Sequence, residues 1–275
     1  MAGEAGEFMI YKRSPDGSDA LAFEVSCSDA SNWVGQWHGF AGTVFSQNQF
    51  LTARHIGGNI GDTFTLGGVD HVVTGMSWFG DVAAWTFSDP VQSYAPMAQT
   101  PSEVGRYITA GYGMGNGAQV LVGDRLAGYE WAPADGGLHW GEVNVQGVGG
   151  WQLIGIFSKF DTLRFDVSMA PGDSGSPIFA QQADGSWALA GVGSTIANQH
   201  NGMSLWGDPT TPYPLLDDGD RSYFADVTGQ PLAREWMASQ VTPVPEPSTI
   251  ALLACALVVA AYKSRLSLSR LLAQP

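Results

Sequence analysis

The sequence predicts an all-β protein, and three observations support that fold class. Glycine is abundant, at 36 of 275 residues, and it separates short runs rich in Val, Thr, Phe and Trp. Such runs between turn-forming residues are typical of strands. Hydrophobic residues make up 44% of the chain and charged residues 14%, and no stretch before residue 229 has a convincing helical period. The length allows one large or two smaller all-β domains.

The charge and the cysteine content narrow the range of partners. Residues 1–247 contain nine basic and all 26 acidic residues, a formal charge of −17. So acidic a surface repels a phosphate backbone, and we expect no binding to nucleic acid. Cys27 has no partner in the body of the protein, because the other cysteine, Cys255, lies in an apolar tail. A framework of intramolecular disulfides is therefore not expected.

The N-terminal part contains a candidate general base. We expect strands at 9–11, 20–23, 42–45 and 49–53, the last two joined by a turn at 46–48. His55 follows the fourth of these strands directly. An imidazole with its ordinary pKa of about 6.5 is largely neutral near pH 7, as a general base requires. A lone histidine after a strand is more often structural, so its interpretation depends on the rest of the chain.

A candidate acid, Asp81, precedes the next apolar strand in the sequence Trp-Phe-Gly-Asp-Val-Ala-Ala-Trp at 78–85. Its apolar neighbours predict a buried carboxylate, which would need a polar or charged partner. Asp62 and Asp70 are the alternatives. They lie in a turn-like context and directly after a Gly-Gly pair, which is more typical of solvated loop acids.

A candidate nucleophile lies in the run Gly-Asp-Ser-Gly-Ser-Pro at 172–177. Its glycines predict a tight turn that exposes the Ser174 hydroxyl and points backbone N–H groups at whatever that hydroxyl attacks. Serine alone is a weak nucleophile and needs a base and an orienting acid, for which His55 and Asp81 are available. A second glycine-rich segment, 111–117, could suggest a phosphate loop. Neither an amphipathic helix nor a nearby basic residue follows it, so we reject a nucleotide site.

Three segments together resemble the trypsin/chymotrypsin-like serine proteases, in the order His, Asp, Ser. They are Leu-Thr-Ala-Arg-His at 51–55, Gly-Asp-Val-Ala at 80–83 and the run at 172–177. The resemblance implies two six-stranded antiparallel β-barrels followed by a short helix. The implied bounds are an N-terminal segment 1–35, barrels at about 36–104 and 105–228, and a helix at 229–240. It also implies a serine endopeptidase that hydrolyses protein or peptide substrates through an acyl-enzyme, without a cofactor.

The same resemblance implies a role for each residue of the run and its partners. His55 would be the base, Asp81 would orient it, and Ser174 would attack. The backbone N–H groups of Gly172 and Ser174 would form the oxyanion hole. Asp173 would turn away from the substrate and support the loop from behind.

Four residues are expected to bind the substrate. Ser168, six positions before the nucleophile, would lie at the base of the primary pocket, where relatives that prefer Arg or Lys carry an acid. Ser194, on the strand beside the triad, would contact Asp81 and pair with the substrate through its backbone. Thr195 and Ile196 would form the pocket wall, which Ile196 would narrow. We therefore expect uncharged, small or apolar residues before the scissile bond.

The C-terminal residues have a different character. A stiff, proline-rich linker, Val-Thr-Pro-Val-Pro-Glu-Pro, occupies residues 241–247. The segment that follows, 248–275, begins with an apolar stretch at 248–262 and ends in a basic tail. This order closely resembles the PEP-CTERM sorting signal. It implies export to the bacterial envelope or exterior, transient membrane anchoring through 248–262, and processing by an exosortase-type enzyme.

A short buried helix is the alternative interpretation of the apolar stretch, since 15 helical residues span only about 22 Å. No leader is visible, so we expect either that the true start lies upstream or that a leader has been removed.

No metal site is expected, and two other functions remain open. The other four histidines lack the spacing of metal ligands, and the acidic loop 217–220 lacks a full calcium-ligand pattern. The first alternative function is a catalytically silent surface protein that uses the same fold for binding. The second is an esterase that does not cleave peptides.

Overall fold

Two β-barrels form the body of the computed structural model, which confirms the predicted all-β class. The structure describes residues 10–11, 28–99, 105–122, 125–148, 154–159, 167–197, 202–205 and 220–240. A two-residue strand, β1 (Ile10–Tyr11), and a one-turn helix, α1 (Ser28–Ser31), precede the first barrel. The strand expected at 20–23 lies outside the described residues.

The first barrel is a closed antiparallel sheet of six strands. These are β2 (Val34–Trp37), β3 (Phe40–Ser46), β4 (Gln49–Ala53), β5 (Thr63–Leu66), β6 (Val69–Phe79) and β7 (Val82–Phe87). Around the barrel the order is β2-β3-β4-β7-β6-β5, and β5 pairs again with β2. The predicted hairpin before His55 is found as β3 and β4.

The remaining strands form the second barrel and two smaller sheets. They are β8 (Gly105–Gly111), β9 (Gly115–Val122), β10 (Arg125–Ala132), β11 (His139–Val148), β12 (Ile154–Lys159), β13 (Val167–Ser168), β14 (Pro177–Gln181), β15 (Trp187–Ala197), β16 (Met203–Leu205) and β17 (Arg221–Asp226). The barrel closes in the order β11-β12-β17-β15-β14-β8. Strands β16, β10 and β9 form an accessory three-stranded sheet, and β1 pairs with β13.

Stacked aromatic rings fill the first barrel. Phe50 and Phe64 stack with centroids 4.0 Å apart, and Phe87 lies 6.1 Å from Phe64. All three are fully buried, and each contributes about 2–3 kcal/mol of burial free energy. The rings fit because β3 carries Gly42, where a Cβ would come within 2.7 Å of the Phe50 ring.

A shared apolar cluster joins the two barrels. It contains Phe45 and Leu51 from the first barrel and Ile108, Phe179 and Leu189 from the second. The strands next to the predicted base and nucleophile, β4 and β14, are therefore held against each other by a common core. That packing places the end of β4 opposite the loop before β14, where the site residues lie.

The helix predicted near the C-terminus is present as α2 (Pro231–Gln240). It buries Ala233 and Met237, and its Trp236 stacks on Phe79 with ring centroids 6.1 Å apart. Among the residues that the structure describes, no helix is both long and apolar enough to cross a bilayer. The linker 241–247 and the apolar segment 248–262 lie outside those residues.

Candidate active site

His55 lies in a 3₁₀ turn (Arg54–Ile56) directly after β4. Strand β4 pairs with β7, so the turn lies beside the β6–β7 hairpin. Two backbone N–H groups hold it there: that of Arg54 donates to the Asp81 carbonyl at 2.7 Å, and that of His55 donates to Asp81 Oδ1 at 3.2 Å. The Arg54 guanidinium also stacks 3.4 Å from the Trp78 ring centroid, a cation–π contact. Two backbone hydrogen bonds to Asp81 thus fix the turn that carries the imidazole.

Asp81 occupies the second position of the two-residue turn between the paired residues Phe79 and Val82. Gly80, at the first position, has φ +58°, as a tight hairpin turn requires. The His55 Nδ1–H donates to the carboxylate, with Nδ1 2.9 Å from Oδ2 and 3.1 Å from Oδ1. Since a carboxylate only accepts, the proton belongs on Nδ1, and Nε2 is left as an acceptor.

The Asp81 carboxylate is less buried than its apolar neighbours predicted. Its side chain is 32% accessible, because it projects from the tip of a two-residue hairpin. Ser194 stabilises it by donating from Oγ to Oδ2 at 2.6 Å. Hydrogen bonds, rather than removal from water, therefore determine how this acid is held.

Ser194 reaches Asp81 because it is the bulged residue of β15. Its neighbours Gly193 and Thr195 pair with consecutive residues of β17, so Ser194 has no partner across the strand. A bulge turns the side chain of the extra residue away from its regular direction. The structure therefore brings Ser194 to Asp81, the contact that the family resemblance implied.

Ser174 lies opposite His55, with its Oγ 2.8 Å from Nε2. Its turn depends on Gly172 and Gly175, which have φ values of +99° and +83°. At Gly175 a Cβ would collide with the Ala41 carbonyl and the Thr52 hydroxyl of the first barrel. The turn is therefore packed directly against the strands that position the imidazole.

The Asp173 carboxylate is fully buried behind this turn. It accepts the N–H groups of Ala170 at 2.8 Å and Gly113 at 2.9 Å. Burial raises the pKa of Asp173 to about 7, against the lowering effect of those two hydrogen bonds. The side chain turns away from Ser174, as expected.

Sequence reasoning missed the role of Gly111 and Gly113. A Cβ at either position would overlap the Asp173 carboxylate, so both glycines let the backbone approach it closely. The sequence did carry a signal: a Gly-x-Gly pair directly after a predicted strand, with no helix to follow. Such spacing marks a close backbone approach to an acidic side chain as well as to a phosphate.

The two N–H groups expected to form an oxyanion hole belong to Gly172 and Ser174. Within the described residues, neither amide donates to a protein acceptor, whereas the neighbouring amides of Asp173 and Gly175 both do. These two amides are the donors expected to bind a developing negative charge.

The predicted pocket residues lie on two segments beside Ser174. Ser168 is 2% exposed, and its hydroxyl donates to the Met169 carbonyl at 3.3 Å. Thr195 is exposed, while Ile196 is half-buried against the cluster that contains Met169.

The competing acids lie away from His55. Asp62 accepts from the backbone N–H of Asn59, and its Oδ2 lies 3.0 Å from His38 Nε2. Asp70 accepts from the hydroxyl of Thr65.

Across the described ranges, no group of three or more His, Cys, Asp or Glu side chains is arranged to hold a metal ion. Most of the acidic loop 217–220 lies outside those ranges.

Comparison with known proteins gives similarity at the level of the fold. No family model matches the chain, and no curated protein matches it. A double mutant of human heparin-binding protein superimposes with a TM-score of 0.51 at 15% identity, covering 78% of this chain and 94% of that one. The inactive form of a serine-to-alanine mutant of Rv3671c from M. tuberculosis H37Rv superimposes with a TM-score of 0.48 at 15% identity. That match covers 82% of this chain and 96% of the other. The heparin-binding protein has a chymotrypsin-like fold, and this chain therefore has the trypsin-like, double-barrel fold.

Proposed function

We propose that this protein is a serine endopeptidase in which His55, Asp81 and Ser174 form the catalytic triad. One observation carries the proposal: an unbroken series of hydrogen bonds runs from Ser194 through Asp81 and His55 to the Ser174 hydroxyl. Such an arrangement makes an alcohol nucleophilic without a cofactor. In this proposal the backbone N–H groups of Gly172 and Ser174 bind the negative charge that develops on the substrate.

The chemistry follows from this order of donors and acceptors. Nε2 of His55 takes the proton of Ser174 as Oγ attacks the scissile carbonyl, and the oxyanion accepts the N–H groups of Gly172 and Ser174. Asp81 keeps the proton on Nδ1 and stabilises the imidazolium. The imidazolium then protonates the leaving amine, and water hydrolyses the acyl-enzyme by the same route in reverse.

Covalent labelling combined with peptide hydrolysis tests the activity. A fluorophosphonate should label the wild type and leave Ser174→Ala unlabelled, while the exposed-site control Ser88→Ala should label normally. Hydrolysis of casein or a peptide library by the wild type alone would support the endopeptidase. Ester turnover without peptide turnover would identify the esterase. A folded protein with neither labelling nor turnover would identify the silent binding protein.

We also propose that the C-terminal signal directs this enzyme to the bacterial envelope, anchored through 248–262 until an exosortase-type enzyme releases it. The order of linker, apolar segment and basic tail supports this proposal. Expression with an added leader, with and without an exosortase, tests it by fractionation. The protein should be released only when the exosortase is present, and a chain lacking 241–275 should be released in both cases. Release of the full chain without exosortase would contradict it.

A further inference from the structure

The end of β6, which leads into the turn that carries Asp81, is supported by the sheet on one side only. Strand β5 pairs with β6 at 69–72, whereas in the described part of the chain β7 is the only strand that pairs with 75–79. A strand end with few neighbours opens more easily than one inside a sheet. Side-chain contacts around residues 75–79 therefore matter for how firmly Asp81 is held.

Trp78 lies on the outer face of this strand end, where its side chain is 50% exposed. The Arg54 guanidinium stacks on it, with Cζ 3.4 Å from the ring centroid. Arg54 directly precedes His55 in the 3₁₀ turn, and within the described ranges it forms no ion pair with an acidic side chain. The cation–π contact therefore joins the turn that carries the base to the strand that leads to the acid.

Phe79 is contacted from the opposite face of the strand end, because successive side chains of a strand alternate in direction. It stacks on Trp236 of α2, with ring centroids 6.1 Å apart and an interplanar angle of 24°. Helix α2 is itself anchored, since its Ala233 and Met237 are buried. The last two residues of β6 are thus held from both faces, one by the His55 turn and the other by the terminal helix.

We propose that these two contacts form an aromatic clamp, which positions Asp81 for its hydrogen bond to His55. The clamp consists of four positioning residues that do not touch the substrate: Arg54, Trp78, Phe79 and Trp236. The inference rests on the proposed function, because only in a triad does the position of Asp81 matter for turnover. It also links α2, which the mechanism does not otherwise use, to the active site. An exposed cation–π contact changes an equilibrium by about two- to fivefold, so each face of the clamp should contribute an effect of that size.

Steady-state kinetics of variants on the outer face tests the first contact. Trp78→Leu removes the ring and keeps the charge, whereas Arg54→Met removes the charge and keeps the length of the side chain. Each should lower kcat about fivefold with KM unchanged, and the double variant should lose no more, since both changes break the same contact. Arg54→Lys should retain most of the activity, because an ammonium group also binds a ring face. The control Met76→Ala, on the same face and 46% exposed, should keep the wild-type kcat.

Variants on the opposite face test the second contact. Trp236→Leu should lower kcat about fivefold, and combining it with Trp78→Leu should multiply the losses to about 25-fold, since the two contacts are separate. Phe79→Leu breaks the same contact from β6 and replaces Trp236→Leu where that variant does not fold. The control on α2 is Leu232→Ala, which alters a side chain that is 65% exposed and should leave kcat unchanged.

Proton NMR of the hydrogen bond between His55 and Asp81 separates this inference from the proposed function, since it requires no turnover. In the Ser174→Ala background the Nδ1 proton should give a strongly downfield resonance, which Trp78→Leu should broaden or shift upfield and Met76→Ala should leave in place. That result would support the clamp even in a protein that hydrolyses nothing, whereas absence of fluorophosphonate labelling would refute the protease alone. An unchanged resonance in Trp78→Leu, an unchanged kcat in both outer-face variants, or an equal loss in Met76→Ala would overturn the inference.

Discussion

At the scale of single residues, the site depends on hydrogen bonds that fix the tautomer of His55. Asp81→Asn replaces an acceptor by a group that can donate, and it favours the proton on Nε2. We expect kcat to fall about 10⁴-fold, which is the loss that this same change causes in the trypsin-like proteases themselves. Steady-state kinetics with a peptide ester measures it.

Ser194→Ala provides the matched comparison for Asp81→Asn. It removes one donor from a carboxylate that stays partly accessible to water, so solvent replaces much of the lost bond. We expect a loss of only about tenfold in kcat, with KM nearly unchanged. A loss as large as that of Asp81→Asn would show that Ser194 does more than position the acid.

The buried Asp173 carboxylate predicts a dependence of stability on pH. Burial raises its pKa from 3.8 to about 7, so between those values the folded state holds a proton that the unfolded state has lost. The free energy of unfolding therefore contains a term that is fully present below pH 4 and lost as the pH rises through 7. Its size is on the order of 4 kcal/mol.

Comparing wild type with Asp173→Asn isolates this term, since the amide does not titrate. Urea denaturation from pH 4 to 8 should show the stability of the wild type falling relative to the variant as the pH rises. A constant difference across that range would show that burial does not raise the pKa of this carboxyl group.

At the scale of elements, the nucleophile turn is supported from the segment between β8 and β9. Gly113 N–H binds Asp173, and Met114 N–H donates to the Pro171 carbonyl at 2.9 Å. The accessory sheet extends this support, because Tyr129 of β10 packs with Ala170 in one cluster. The sequence did not predict this sheet. Its residues lack a clear alternation of apolar and polar side chains, and strand β16, which pairs with β10, comes from a distant part of the chain.

Gly113→Ala tests whether that support controls the turn. A Cβ there would lie 2.6 Å from the Asp173 carboxyl group and 2.8 Å from its backbone nitrogen, so the turn must shift. A misplacement near 1 Å costs about 100-fold in turnover. We expect a loss of that size in kcat with an unchanged far-UV circular dichroism spectrum.

The control for this prediction is Gly75→Ala in β6, where the nearest atom would be 3.7 Å from the new Cβ, an ordinary contact. It should leave kcat at the wild-type value. Equal kcat for Gly113→Ala and Gly75→Ala would contradict a supporting role of the β8–β9 segment.

At the scale of the whole molecule, the acidic surface should influence which peptides reach the cleft. Residues 1–247 carry a formal charge of −17. At low ionic strength we expect kcat/KM for peptides with lysines distant from the cleavage site to exceed that for glutamate peptides by about tenfold. The Debye length falls from about 30 Å at 0.01 M salt to about 8 Å at 0.15 M, so the difference should shrink.

Kinetics at several NaCl concentrations checks this expectation, with an uncharged peptide as the reference for general salt effects. A preference for lysine peptides that is independent of salt would indicate a specific contact near the cleft rather than the field of the whole surface.

Local pattern was sufficient for the all-β class, the hairpin before His55 and the glycine turn around Ser174, whereas the terminal helix was implied by the family resemblance. Each of the first three depends on neighbouring residues, through turn chemistry and the spacing of apolar side chains. The local pattern wrongly predicted that the Asp81 carboxylate is buried, because apolar neighbours in the sequence do not cover a side chain at the tip of a hairpin. It also assigned no role to Gly113, whose contact with Asp173 comes from a distant part of the chain.

By itself, the sequence determined which residues carry reactive groups and which strands they follow. Only the tertiary structure decided that the His55 and Ser174 side chains, 119 residues apart, lie within 2.8 Å, and that Asp81 rather than Asp62 or Asp70 reaches the imidazole. It also decided that the Arg54 guanidinium stacks on the Trp78 ring. The physical reason is that closure of the two barrels and their shared core set these distances, and both depend on contacts between residues far apart in the chain.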